Sequence, residues 1–333
     1  MILKYTATNK DSARTVYSVL RKELNISATM LRRLKSADAI SVSGASVYTN
    51  YLLSPEETIL VDINAAEEPC DNLPEAGEIE VLYENEGLLA VNKPSGILVH
   101  PSRSRNNGTL ANFVAGYLVA GNEPCTAVTQ NGRDFLDSSF SENLISDAPT
   151  PHAVNRLDRD TSGVVLFAKN SYMKAIASDA ISKPDARKEY LALVYGEMPE
   201  SGCIDVAIKR VQERNMLRIP APDGQRAVTH FKTVRIFKTD GFTVSLVRLR
   251  LETGRTHQIR VHCLHIGRPI LGDKLYCNEN SMRASQVLGI STQALHAQLL
   301  AFCEPLSGDF IEISAPWNCK NYSCIFGQDM LAY

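Results

Sequence analysis

Between residues 79 and 303 the apolar residues gather into strand-length runs, at 79–83, 88–92, 164–168, 190–195, 242–251 and 295–303. Fewer segments carry helical spacing. Leu110, Phe113, Val114, Tyr117 and Leu118 mark one, and Met173, Ile176, Ala177 and Ala180 another. Strand follows strand too often for the regular βαβ alternation of a parallel sheet. The expected fold class is therefore α+β, a mixed, largely antiparallel β-sheet with flanking helices. A length of 333 residues suits two or three compact units rather than one small core.

The chain divides near its first fifth. Residues 64–77 are polar and acidic and hold Pro69 and Pro74, so 65–77 reads as a linker between a small unit, 1–64, and a large one, 78–333. Few core contacts are expected to cross it, and the larger unit should fold without the smaller. In the small unit Val16, Val19, Leu20 and Leu24 fall at helical spacing. Ser27 is placed to cap a second helix with Met30, Leu31 and Leu34 inward and Arg32, Arg33 and Lys35 outward. Two β-rich stretches follow, at 40–42 and 58–63. Residues 121–150 are rich in Asn, Ser, Asp and Pro and read as a surface insertion.

Composition excludes more than it assigns. No apolar run approaches the ~18 residues of a membrane span, and Met1–Thr6 lacks the apolar core of a secretory signal. The eight cysteines include no CxxC pair, which argues against structural zinc and for reduced thiols in the cytoplasm. The net charge of −2 conceals three blocks: 8 basic against 6 acidic residues over 1–64 (+2), 4 against 13 over 65–150 (−9), and 23 against 18 over 151–333 (+5). Two mildly basic ends leave room for a nucleic acid on one face without a strong non-specific signature.

The chemistry is expected in the loop Asn155-Arg156-Leu157-Asp158-Arg159-Asp160-Thr161, which runs straight into the apolar strand beginning near Val164. Loops held by a buried strand commonly present functional groups. A carboxylate beside arginines stays ionised, and this suits Asp158 as nucleophile or base better than as general acid. In isolation the same residues read more simply as a turn in which Asp158 and Asp160 pair with neighbouring arginines.

Three further blocks stand around this loop: Asn92-Lys93-Pro94-Ser95-Gly96-Ile97-Leu98-Val99-His100-Pro101, Lys188-Glu189-Tyr190-Leu191-Ala192-Leu193-Val194-Tyr195-Gly196, and Thr253-Gly254-Arg255-Thr256-His257-Gln258-Ile259-Arg260-Val261-His262. Leu295-His296-Ala297 adds a weaker echo. In this order and spacing the set resembles the RluA-type family of pseudouridine synthases, over roughly residues 79–317. The resemblance implies that Asp158 is the catalytic aspartate, that Arg156 helps displace the target nucleotide, and that Tyr190 lies against the flipped uracil. It also implies a basic residue pairing with the aspartate. Arg260 is preferred, Arg255 being the competitor and otherwise an RNA contact. The family commonly has histidine where this chain has Asn155. The order of helices and strands in 1–64 loosely resembles the small RNA-binding domain shared with a ribosomal small-subunit protein, which makes Arg32, Arg33 and Lys35 RNA contacts. Implied with these are a structured ribosomal or transfer RNA as partner, a monomer, and no cofactor or metal.

Two rivals belong to other classes. A non-catalytic RNA-binding protein has little reason to keep the tyrosine, the loop aspartate and the distant arginine together. A sugar hydrolase built on Asp158 and Asp160 needs carboxylates opposed at ~5 Å or more, which positions i and i+2 of one loop rarely reach. His257, His262, Cys263 and His265 lack a metal-ligand spacing. On a helix His262 and Cys263 share a face with Ile259 and Ile266, which suggests packing. Arg248 and Arg250 alternate on a strand, as phosphate contacts or as its solvent side.

Overall fold

The computed structural model describes residues 1–67, 73–101, 106–121, 151–211 and 217–318, with Tyr322, Ile325 and the backbone of 128–130 and 133–135. In the first unit, strands β1 (Ile2–Thr6), β2 (Ile40–Val42), β3 (Ala45–Ser46) and β4 (Thr58–Asp62) form an antiparallel sheet in the order β1-β4-β2-β3. Helices α1 (Val16–Lys22) and α2 (Ala28–Ser36) share its core. Thr15 and Ser27 start them, each hydroxyl accepting from a backbone N–H three residues on, at 3.2 and 3.1 Å. As expected, Met30, Leu31 and Leu34 are buried, while Arg32 and Lys35 are exposed and Arg33 is half-buried. β1 escapes a search for apolar runs because only Leu3 of its five residues is buried.

The second unit is built on a ten-stranded sheet. Its strands are β5 (Glu80–Glu84), β6 (Leu88–Lys93), β9 (His152–Ala153), β10 (Ser162–Ala168), β11 (Arg187–Tyr195), β12 (Ser201–Asp205), β15 (Val228–Thr239), β16 (Phe242–Leu251), β17 (Leu295–Cys303) and β18 (Phe310–Ser314). Hairpins β7 (Val128–Gln130) with β8 (Arg133–Phe135) and β13 (Ile208–Arg210) with β14 (Arg218–Pro220) stand apart. The expected insertion at 121–150 otherwise lies outside the described residues. The path through the large sheet is β12-β15-β16-β11-β17-β10-β6-β5, with β18 added to β17 and β9 to β10. Helix α3 (Leu110–Val119) packs on one face of the β6–β10 half and α4 (Ser171–Ala180) on the other, while α5 (Gln258–His265) and α6 (Glu279–Val287) join the β11–β16 half. The α+β class and the dominance of antiparallel pairing follow the distribution of apolar runs. β15 does not, because its exposed Lys232, Arg235 and Lys238 interrupt any apolar run.

One parallel pairing joins the halves. β10 and β17 meet over two residue pairs, Ser162 with His296 and Gly163 with Ala297. Gly163 has φ +111°, and a Cβ there would stand 2.2 Å from the Ala297 carbonyl oxygen, so only glycine allows this approach. The loop 155–161 opens at this junction and is thereby aimed into the space between the halves.

The expectation that few core contacts cross the linker is corrected. Buried residues of the first unit and of β6, β10, α4 and β17 belong to one apolar cluster. At the contact Tyr172 donates its hydroxyl proton to the Leu24 carbonyl at 2.9 Å, and Glu67 accepts from Ser171 N–H and Oγ–H and contacts His152 Nε2 at 2.7 Å. A polar linker sequence reports its own exposure but not what the helices beside it bury. Removing residues 1–64 is therefore expected to expose Tyr172 and its neighbours, a loss of about 2 kcal/mol for each large side chain. The thermal midpoint should fall by about 4 °C or more, measured by calorimetry on the truncated and full chains. An unchanged midpoint would restore the independent-unit reading.

Candidate active site

The loop that carries Asp158 is clamped from three sides. Lys93, at the end of β6, is fully buried and its Nζ donates to the carbonyls of Pro94, Ile97 and Arg159 at 2.8, 2.7 and 2.7 Å. The turn that follows adds Gly96 N–H to the Arg159 carbonyl at 2.9 Å and Ser95 Oγ–H to that of Asp160 at 2.7 Å. Asn155 fastens the loop's start to β10, its Nδ2 donating to Val164 O at 3.1 Å and its Oδ1 accepting from Leu166 N–H at 2.7 Å. Thr161 accepts from Gln293 at the far end. Burial pushes the Lys93 ammonium down to about 7, against the pull of Asp160 and Asp158. Lys93→Met is expected to take one donor from the Arg159 carbonyl, which keeps Gly96 N–H, and to leave the Pro94 and Ile97 carbonyls without this donor, at about 1–3 kcal/mol for each that stays unsatisfied. A lower thermal midpoint, measured by calorimetry, checks this; a wild-type midpoint removes the clamp.

The two aspartates have different partners. Asp160 takes Arg159 Nε–H and a terminal N–H at 2.9 and 3.0 Å, a local pair of the kind a turn makes. Asp158 pairs with neither Arg156 nor Arg159. Its Oδ2 accepts from a terminal N–H of Arg260 at 2.6 Å, and its side chain keeps 27% exposure. The source of that arginine is α5, 102 residues away. Arg260 is itself held by Asp273, which takes its Nε–H and other terminal N–H at 2.6 and 2.9 Å, and its guanidinium lies 4.9 Å from the Tyr276 ring centre. The Asp273 side chain is fully buried, and its Oδ1 also accepts from the N–H groups of Leu275 and Tyr276 at 2.9 and 3.0 Å. Burial opposes the Arg260 charge, but the hydrogen bonds and charge of Asp273, and then the charge of Asp158, hold the guanidinium protonated above its ordinary range. The competing Arg255 does not reach the carboxylate; its Nε–H goes to the Arg226 carbonyl at 3.1 Å, and it lines the cleft from the far side.

Sequence reasoning had considered His257 only as a metal ligand. It sits in the left-handed region at φ +57°, immediately before α5, with Nε2 3.7 Å from Asp158 Oδ2. The Tyr276 hydroxyl accepts from Arg218 N–H at 2.8 Å and lies 2.9 Å from His257 Nδ1. The hydroxyl keeps its own proton for Nδ1, and in that tautomer the imidazole proton sits on Nε2, facing Asp158; in the other tautomer Nδ1 donates to the hydroxyl. Burial lowers the His257 pKa, the Asp158 charge raising it and that of Arg260 lowering it. The Thr256-His257-Gln258 block gave no signal for this, because a left-handed histidine is not distinguishable from a helical one in sequence.

Arg156, Leu157, Asp158, Thr161, Tyr190 and Arg260 line a single cleft. Tyr190 stands at a bulge in β11, opposite Leu249 of β16 and Ala297 of β17. Among the described residues its hydroxyl has no hydrogen-bond partner; burial, followed by the Asp158 charge, raises its pKa. Arg156 is exposed at the mouth. Arg32, Arg33 and Lys35 lie outside the cleft, on α2. His262 is spent on structure, between Thr229 Oγ1 and the Val206 carbonyl at 2.9 Å each, and burial pushes the Cys263 thiol up to about 12. Arg248 lies on the solvent side of β16, 3.9 Å from Glu189.

Such a cleft offers an accessible carboxylate on a fixed arginine, an aromatic wall, and an exposed arginine, Arg156. Comparison with known proteins agrees. Residues 87–265 match the family described as RNA pseudouridylate synthase. The chain is 31% identical over 316 residues to the uncharacterised RNA pseudouridine synthase YhcT of Bacillus subtilis, covering 95% of this chain and 93% of that protein. It is 31% identical over 290 residues to ribosomal large subunit pseudouridine synthase D of Xanthomonas campestris, covering 85% and 78% respectively. In fold it is similar to the human RNA pseudouridylate synthase domain containing 1, with a TM-score of 0.56 at 21% identity over 80% of this chain and 91% of that one.

Proposed function

This chain belongs to the RluA-type family of RNA pseudouridine synthases, and from that premise we propose that it isomerises uridines of structured ribosomal or transfer RNA with Asp158 as catalytic residue. Ribosomal RNA is favoured by relatives named for the large ribosomal subunit. The observation that carries the proposal is the Asp158–Arg260–Asp273 chain opening onto Tyr190 in one cleft.

Pseudouridylation breaks the bond from C1′ to N1, turns the base and joins C1′ to C5, with the C5 proton lost and N1 gaining one from solvent. A stacked uracil cannot turn, so the nucleotide must leave its helix, at a few kcal/mol. Arg156 fills the vacated place from the cleft mouth, and Arg255 holds backbone on the opposite wall. Asp158 supplies the anion, as nucleophile at C1′ or as base toward the ribose. Arg260 positions it, with the burial of Asp273 keeping the arginine from swinging away. No step calls for a cofactor or metal. No described helix is long and apolar enough to cross a membrane, and we place the protein in the cytoplasm as a monomer.

Release of tritium from RNA carrying 5-tritiated uridine tests the reaction. Release without free base or sugar is expected. Binding without release would favour a non-catalytic RNA-binding protein, and free base or sugar a hydrolase.

Tyr190 refines the reading. Burial raises its pKa, so forming a phenolate there is harder than in water, which favours a stacking wall over a phenolate base. Tyr190→Phe is expected to retain most turnover, and Tyr190→Leu to lose the ~1–3 kcal/mol of base stacking, about 5- to 150-fold. If Phe instead stalls after the new carbon–carbon bond forms, seen as base rearranged without tritium release, the phenol oxygen handles the proton.

A further inference from the structure

We propose that the groove between α1 and α2 is a nucleotide-binding site in which Tyr17 stacks on one unpaired base of the RNA while Arg32 and Lys35 hold the adjoining phosphates. The inference rests on the reading of this chain as an RNA-modifying enzyme and gives its first unit a specific ligand. Tyr17, Ala28, Leu31, Arg32 and Lys35 line the groove, whose volume is about 280 Å³. Sites for small ligands run from ~300 to 1,000 Å³, so this one admits a single base and not a helix.

The four α2 residues recur at i, i+3, i+4 and i+7 and therefore share one face. Leu31 is buried and forms the floor, and Ala28 leaves the space open above it. Tyr17 stands as the opposite wall, 49% exposed, a large aromatic surface left in water. Its hydroxyl has no hydrogen-bond partner among the described residues, and its backbone N–H is used by the Thr49 carbonyl at 2.8 Å.

The groove is lined by two cations and no carboxylate. Arg14 neutralises Asp11 and Glu23, the hydroxyl of Tyr51 bonds Glu57, and that of Ser46 bonds Asp38. Neither Arg32 nor Lys35 has an acidic partner among the described residues; the Arg32 guanidinium makes a long contact, 3.4 Å, to the Ala28 carbonyl in its own helix. An aromatic face with cations beside it is the chemistry of single-stranded nucleotide binding, each stacked base contributing ~1–3 kcal/mol. In a duplex the base faces are covered by their neighbours, so the occupant is a bulged or loop nucleotide.

The test measures binding of the full chain to two short RNA hairpins, one fully paired and one with a single bulged adenosine, by fluorescence anisotropy across a salt series. The wild type should bind the bulged hairpin about 5- to 150-fold more tightly. Tyr17→Ser should bring its affinity down to that of the paired hairpin and leave the latter unchanged, whereas Tyr17→Phe should behave as wild type. Arg32→Gln with Lys35→Gln should flatten the salt response by a slope of about 1 for each lost phosphate contact. Equal binding of the two hairpins, or a bulge preference that survives Tyr17→Ser, overturns the proposal. Tritium release in the same preparations separates the two failures. A wild type that releases none defeats the reading as an isomerase, and release together with indifference to Tyr17 defeats the groove alone.

Discussion

Asp158→Asn should leave a folded protein that binds RNA and turns over at less than about a hundredth of the wild-type rate, because a positioned acid or base alone contributes ~10²–10⁴-fold and the anion is needed in either mechanism. The fold should survive for a geometric reason. Asp158 contributes one of the carboxylates around Arg260, and the other, Asp273, keeps its two-pronged grip on the guanidinium when the first becomes an amide. No buried charge is left unpaired. Tritium release, thermal unfolding and RNA binding on one preparation check the three parts. Turnover above a hundredth of wild type would move the chemistry to another residue.

Arg260→Met is expected to damage both chemistry and stability, and the two effects are separable. The change removes the hydrogen bond that fixes Asp158 and strands Asp273, whose side chain is fully buried. Breaking a buried pair from one side costs about 3–5 kcal/mol. Adding Asp273→Asn removes the stranded charge, so the double variant should regain most of the lost stability while its single-turnover rate stays low. RNA affinity should change less than that rate in both variants. A double variant that recovers its rate along with its stability would make Arg260 a structural residue only. A variant that loses affinity and keeps its single-turnover rate would make it a phosphate contact.

Much of the scaffold was legible before any coordinates. The runs at 88–92, 164–168, 242–251 and 295–303 all lie in strands of the large sheet, and Ser27 caps α2 with Met30, Leu31 and Leu34 inward. Buried strands and capped helices state themselves locally, through side chains that either must leave water or must satisfy nearby N–H groups. β15 stayed hidden for the converse reason: paired on both sides by β12 and β16, it carries charges along much of its length and buries little. The loop around Asp158 stood out through its dense charge set directly before an apolar strand, and it lines the cleft.

Its electrostatic partner was legible only by resemblance. Sequence neighbours suggested Arg156 and Arg159, yet one lines the cleft as an exposed side chain and the other turns to Asp160. The same holds for His257, for Lys93 beneath the loop, and for the apolar cluster that ties the first unit to α4. Hydropathy and spacing determine which residues are buried and which backbone shape each stretch prefers, because those preferences act over a few residues. Which charge meets Asp158 depends on β10 and β17 closing two halves of a sheet against each other at Gly163. That closure brings α5 to the loop across 102 residues, and it is a property of the packed chain alone.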